Sequence, residues 1–236
     1  VLFRSGNAAE ALSKKFTEMQ DDSEVTAGFM WQKTTRESKK YQLRGEILSF
    51  IPVEKNVEVM LVTITNTGRM AQTVTPTAAI PLYGRSADNI RDHRHVTSLL
   101  HRIETTDIGV LVTPTLSFDE RGHQVNHMTY YCVGWSGNGE KPVDFYPTAE
   151  DFVGEGGNFE RPYAIVKNAE GVKAGTRIEG LEAVGGLHFS EVTLEPEEEC
   201  SYLIFTGITE DIQEIRNLSK TYTTREMVLE ELEKTK

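Results

Sequence analysis

The chain has 236 residues, 38% of them hydrophobic, and carries 36 acidic against 25 basic side chains, for a formal net charge of -11. That length is enough to bury a substantial core, while the acidic balance disfavours a nucleic-acid partner, because phosphate-backbone binding draws on many Lys and Arg contacts. No apolar run approaches the ~20 residues of a membrane-spanning helix, and the first residues lack a charged leader followed by an apolar stretch and a small-residue cleavage site, so the expectation is a cytoplasmic protein with no membrane partner.

Val1 to Ser5 reads as a remnant at the edge of something longer. Ala8, Leu12, Phe16 and Met19 then recur at helical spacing behind a capping Asn7, which predicts one short helix. From Val25 onward the texture changes: residues 25–31, 41–51, 57–65 and 73–80 are β-branched or aromatic runs between polar or glycine-bearing breaks, the pattern of strands. Asn66-Thr67-Gly68-Arg69 lies between two of them and predicts a tight hairpin with Gly68 at positive φ. The same grammar returns at 109–113, 127–135, 161–166, 186–194 and 201–206. Glu195-Pro196-Glu197-Glu198-Glu199 predicts an exposed turn, since proline and like charges oppose further pairing. Residues 136–160 form a Gly-rich, acidic stretch too long for an ordinary hairpin loop, and therefore functional or mobile.

The ending is helical. Thr209 caps a segment with Ile212, Ile215 and Leu218 on one face, and Thr223 with Glu226 makes a capping-box pattern ahead of Met227, Leu229 and Leu232. The charged tail after them shows no obvious docking face. Many strands, few helices and no βαβ alternation predict a mainly all-β protein, a large antiparallel two-sheet β-sandwich. Its expected organisation is a remnant and short helix over 1–22, the sandwich over 23–208, and a truncated helical linker over 209–236.

Charge and imidazole concentrate between Tyr83 and Arg102, where Arg85, Arg91, Arg94 and Arg102 stand with His93, His95 and His101. A local basic cluster on an acidic chain suits a specific anion, carboxylate or sugar. His93 and His95 on one face of a strand would make half a metal site, with Asp92 or His101 as a further ligand; hydrogen-bonded histidines within an arginine network are the alternative, and no metal is assigned. The guanidinium forks of Arg91 and Arg94 suit a carboxylate, a sugar diol or a neighbouring subunit, or else an internal network with Asp88 and Asp92. Gly154-Glu155-Gly156-Gly157-Asn158 lacks the Lys and Ser/Thr of a phosphate loop and reads as a flexible loop. Trp135, Tyr146 and Phe159 border the long segment and are candidate sugar-stacking rings. Cys132 and Cys200, both in strand-like runs, read as buried free thiols or as a disulfide pair.

Phe50-Ile51-Pro52 followed by the run from Val57 to Thr67, the Asp88-Asn89-Ile90-Arg91-Asp92-His93-Arg94-His95 segment, Phe152-Val153-Gly154-Glu155 with Arg161-Pro162-Tyr163 after it, and Val192-Thr193-Leu194-Glu195-Pro196 leading into Leu203-Ile204-Phe205-Thr206-Gly207 together carry a resemblance. In their order the chain resembles the N-terminal domain of inverting glycoside phosphorylases of the cellobiose phosphorylase type, and most of all the β-1,2-oligoglucan phosphorylases. The resemblance implies a β-supersandwich like that of galactose mutarotase, a helical linker, then an (α/α)6 barrel that holds the catalytic acid and the phosphate pocket. It implies a non-catalytic role for this chain, no cofactor, inorganic phosphate as co-substrate of the full-length enzyme, an oligosaccharide of β-glucan type as ligand, the barrel as partner, and a homodimer. The residues expected to face carbohydrate or the neighbouring domain are Arg91, Asp92, His93, Arg94, His95, Trp135, Glu155 and Arg161. A carbohydrate-binding module or a mutarotase-like epimerase, with His93, His95, Glu155 and Glu160 as acid and base, is the alternative on the same sandwich.

Overall fold

The computed structural model describes residues 2–5, 8–11, 22–84, 94–119 and 122–236. Its strands in chain order are β1 Leu2–Ser5, β2 Ala8–Ala11, β3 Asp22–Gly28, β4 Trp31–Ser38, β5 Leu43–Phe50, β6 Val57–Asn66, β7 Gln72–Leu82, β8 Arg102–Thr105, β9 Gly109–Val112, β10 Leu116–Asp119, β11 Gly122–Val125, β12 Thr129–Ser136, β13 Asp144–Thr148, β14 Arg177–Glu179, β15 Ala183–His188, β16 Val192–Leu194 and β17 Glu199–Thr209. Five helices, α1 Arg94–Ser98, α2 Ala149–Val153, α3 Tyr163–Lys167, α4 Ile212–Thr221 and α5 Arg225–Thr235, lie among and after them.

The strands form a nine-stranded sheet in the order β14-β8-β9-β12-β17-β6-β5-β4-β3, and a six-stranded sheet in the order β13-β15-β7-β1-β2 with β16 beside β7. Strands β10 and β11 make a separate ribbon. Side chains from both large sheets meet in one core: Val62, Ile64, Cys132 and Ile204 of the larger sheet pack with Phe3, Val74, Ala78 and Leu187 of the smaller. This is the expected all-β, antiparallel two-sheet sandwich, with Cys132 and Cys200 as free thiols.

The alternate residues of the central strands are apolar too. Val57, Val59 and Leu61 of β6, Val133 and Trp135 of β12, and Leu203 and Phe205 of β17 form a second core on the outer face, closed by Ile215, Tyr222, Val228 and Leu232 of the terminal helical segment. Burial on both faces explains why Val59 to Val62 of β6 read as an unbroken apolar run instead of alternating. It also corrects the expectation that the charged tail has no docking face, since Leu232 packs into this outer core and Thr235 is buried.

Four other expectations change. The opening residues form β1 paired to β7, with Phe3 fully buried, so they belong to the sandwich. Ala8–Ala11 pairs with β1 as strand β2 where a helix was expected; residues 12–21 lie outside the described ones. The run 161–166 is helix α3: Pro162 precedes its first turn, and Asn168 ends it in the left-handed region at φ 51°. Four apolar residues there are too few to distinguish a short helix from a strand.

Asn66 to Arg69 is a crossover between sheets, since β6 and β7 belong to different ones. Gly68 is not at positive φ; it sits close to the amide ends of Gln42, Asn66 and Gln72.

Candidate functional site

At one edge of the sandwich the end of β7, the turn before β15, helix α1 and the loop after α2 enclose a cleft of about 700 Å³. Each wall has a local cause. Thr148 caps α2, its hydroxyl accepting from Asp151 N at 3.1 Å and donating to Asp151 Oδ2 at 2.6 Å. The helix ends at Gly154, where φ is 78° and a Cβ would lie 2.6 Å from Tyr163 Cβ, so both conformation and space demand glycine. Gly157 turns hard against Val153 O, and Asn158 Oδ1 then accepts from Glu160 N and Arg161 N at 2.9 and 3.0 Å, fixing the loop. Phe159 is left partly exposed on this loop, its ring 5.8 Å from that of the buried Phe152.

Across the cleft, β7 leads to the exposed Tyr83 and the buried Gly84. His101, only 3% exposed, donates from Nδ1 to Leu181 O at 3.1 Å. Burial pushes its pKa below the ordinary imidazole value, against the opposing pull of the Leu181 and Gly84 backbone and the Glu182 charge. Nε2 is fully buried against Gly84, on a side whose neighbours Val112 and Pro114 do not line the cleft. Glu150, Asn158 and Glu182 add polar groups to the walls.

The flanks of the basic segment, Tyr83 on one side and Thr97 and Ser98 on the other, thus meet the Gly154 to Phe159 loop in one cleft. Arg91, Asp92 and His93 themselves lie outside the described residues. Arg94 and His95 open helix α1, which replaces the strand geometry expected for His95; their side chains also lie outside what is described. Glu155 is exposed on a second cleft of about 390 Å³ with Asp151, Glu170 and Tyr163, away from His101, and Arg161 and Glu160 are exposed as well.

Trp135 is corrected as a sugar platform. It is 3% exposed, stacks on Phe205 at 4.8 Å between centroids, and donates from Nε1 to Tyr222 O at 2.9 Å, so its ring anchors the terminal helices. Tyr146 is likewise buried, with its hydroxyl donating to Ala169 O. Among the described residues no group of three or more His, Cys, Asp or Glu side chains is placed to hold a metal. Burial pushes the Cys132 thiol up to about 12 and Cys200 to about 11, so neither is a ready nucleophile.

Glu150 and Glu182 were missed from sequence. The only local signal for Glu150 is its place after the helix-capping Thr148; for Glu182 there is none.

The sequence matches the family model described as glycosyl hydrolase 94, supersandwich domain, over residues 5–225. The chain belongs to this family. It is a GH94 supersandwich domain, as the resemblance in its ordered blocks led one to expect. No curated protein matches it. Among solved structures it is similar to a protein assigned as a kojibiose phosphorylase from the human microbiome, at 8% identity and a TM-score of 0.48 over 99% of this chain and 26% of that one. It is also similar to a GH36 α-galactosidase from Geobacillus stearothermophilus, at 11% identity and a TM-score of 0.34 over 89% of this chain and 27% of that one. The GH94 supersandwich domain thus spans about a quarter of the length of these proteins, and such distant likenesses add nothing to the family assignment.

Proposed function

We propose that this supersandwich domain is a non-catalytic part of a glycoside phosphorylase acting on β-linked gluco-oligosaccharides, where it shapes the glucan site and contributes to dimer assembly beside an (α/α)6 catalytic domain. The observation that supports this reading is the family match across nearly the whole chain. The sandwich carries the binding surface, and the chemistry belongs to the barrel, which supplies the acid and takes inorganic phosphate as co-substrate; no cofactor is required. The face turned toward the glucan or the barrel comprises Arg91, Asp92, His93, Arg94 and His95 together with the loop that carries Glu155 and Arg161. Its supporting observation is the convergence of that segment's flanks on the loop in one cleft.

Arg102 is exposed and paired with Glu179 at 3.4 Å; for the rest, arginine forks are costly to bury without partners, and Asp88 and Asp92 cannot neutralise Arg85, Arg91 and Arg94 together. In the full-length enzyme, Arg91→Ala and Arg94→Ala are therefore expected to reduce glucan turnover or dimer formation, with little change in the melting temperature of the isolated domain. Full activity and assembly in both variants, joined to a loss of several degrees in the domain, would show an internal strut instead.

A further inference from the structure

The nine-stranded sheet ends at β3, and among the described residues no strand pairs with its outer side. All of its residues from Asp22 to Gly28 are exposed. The other ends of the two large sheets are short or irregular: β14 has 3 residues, β2 has 4, and β13 carries a register shift between Tyr146 and Thr148 and is bridged at Phe145 by Val172. Strand β3 has 7 residues, contains no proline and pairs with β4 without a bulge, so its free side is a regular template for one more strand.

The register decides which strand fits. Gly28 and Trp31 face each other across a tight turn, so Gly28, Thr26, Glu24 and Asp22 exchange backbone bonds with β4, while the N–H and C=O of Ser23, Val25 and Ala27 point away from the sheet. A second β3 laid antiparallel about Val25 meets these groups with its own: Val25 faces Val25 and Ser23 faces Ala27, and each facing pair can exchange both of its bonds. Charge agrees with this register. Glu24 stands opposite Thr26 and Asp22 opposite Gly28, so no two like charges face each other, and Asp22 is already paired with Lys39 at 3.2 Å. Beyond Thr26 of the second copy, on the same face, comes its Lys33, two strand spacings or about 10 Å from Glu24. Val25, 61% exposed, is covered at the twofold axis, and Phe29 at the hairpin tip adds exposed apolar surface at each end.

We propose that β3 is a homodimerisation edge, pairing antiparallel about Val25 with β3 of a second copy of this chain, so that the nine-stranded sheets of the two copies run on as one. The inference rests on the reading above that this domain contributes to dimer assembly, and it gives that role a surface.

The test follows the mass of the 236-residue chain by sedimentation equilibrium over a range of concentrations. The parent chain is expected to dimerise. Thr26→Glu sets a carboxylate opposite Glu24 of the second copy on both sides of the axis, and Val25→Lys sets two ammonium groups face to face at it; each is expected to weaken the dimer by about tenfold. Both positions are exposed, and far-UV circular dichroism is expected to match that of the parent. Adding Glu24→Lys to Thr26→Glu turns each repulsion into an opposite-charge pair and is expected to restore the dimer, a rescue that depends on the proposed register. A parent chain that is monomeric at every concentration, a dimer that Thr26→Glu and Val25→Lys leave unchanged, or no recovery in the double variant would each overturn the proposal. A monomeric chain would leave the phosphorylase reading standing, because that reading fails on a different result, phosphorolysis by this chain alone.

Discussion

At Asn66 the chain leaves the nine-stranded sheet for the six-stranded one, and a second crossover between the same sheets, from β16 to β17, passes beside it. The buried carboxamide holds both. Nδ2 donates to Met70 O at 2.8 Å and Leu194 O at 2.9 Å, while Oδ1 accepts from Gly68 N at 2.8 Å and Gln72 Nε2 at 3.1 Å. The backbone adds two more bonds, Asn66 N donating to Glu198 O and Asn66 O accepting from Glu197 N. Asn66→Ala removes all four side-chain bonds and strands buried backbone groups, so a loss of about 2–4 kcal/mol is expected in urea denaturation. Asn66→Asp keeps the acceptors and loses the donors, and should fall as far, because it places a charge at a fully buried position. From sequence, Asn66 looked like the start of a hairpin. Local turn chemistry was legible there, but the identity of the sheets on either side depends on pairings with residues more than a hundred positions away.

Helices α4 and α5 cover the outer face of the larger sheet. Their existence was legible because apolar residues recur at helical spacing behind capping side chains: Asp211 accepts from Gln213 N at 2.8 Å, and Thr224, one residue beyond the Thr223 expected, accepts from Met227 N. Their docking was not, because the receiving surface is the outer face of distant strands. Lys55 joins Tyr222 and Glu231 across that interface, and the Lys236 ammonium lies 5.3 Å from the Trp31 ring centroid. Burial raises the carboxyl pKa of Glu231, but hydrogen bonds and charge from Lys55 and Lys234 outweigh it and hold the group below the usual range. Leu232→Ala should lower stability by about 2–4 kcal/mol. Tyr222→Ala should uncover Trp135 and shift its fluorescence to the red, whereas unchanged emission would mean that the helices do not cover that ring in solution. Strand β4 escaped notice for the opposite reason: Lys33, Thr34, Thr35 and Arg36 lack an apolar face, and only pairing with β3 and β5 makes them a strand.

For the whole molecule, two cores share one sheet, the inner between the sheets and the outer under the helices. The fold class was legible because its determinant, strand-length apolar runs between turn signals, is local. The cleft was half legible: the basic segment and the glycine loop stood out by composition, but the role of His101 and the placing of Glu150 and Glu182 arise only when distant elements converge. Inverting cleavage of a glycosidic bond needs a carboxylic acid on the leaving oxygen and a nucleophile on the opposite face, and the account places neither in this chain. The most direct measurement incubates the purified 236-residue chain with β-linked gluco-oligosaccharides and inorganic phosphate and follows sugar phosphate over time. The account predicts none above the protein-free control; sustained phosphorolysis that disappears in Glu150→Gln or another single carboxylate variant of this chain would contradict it.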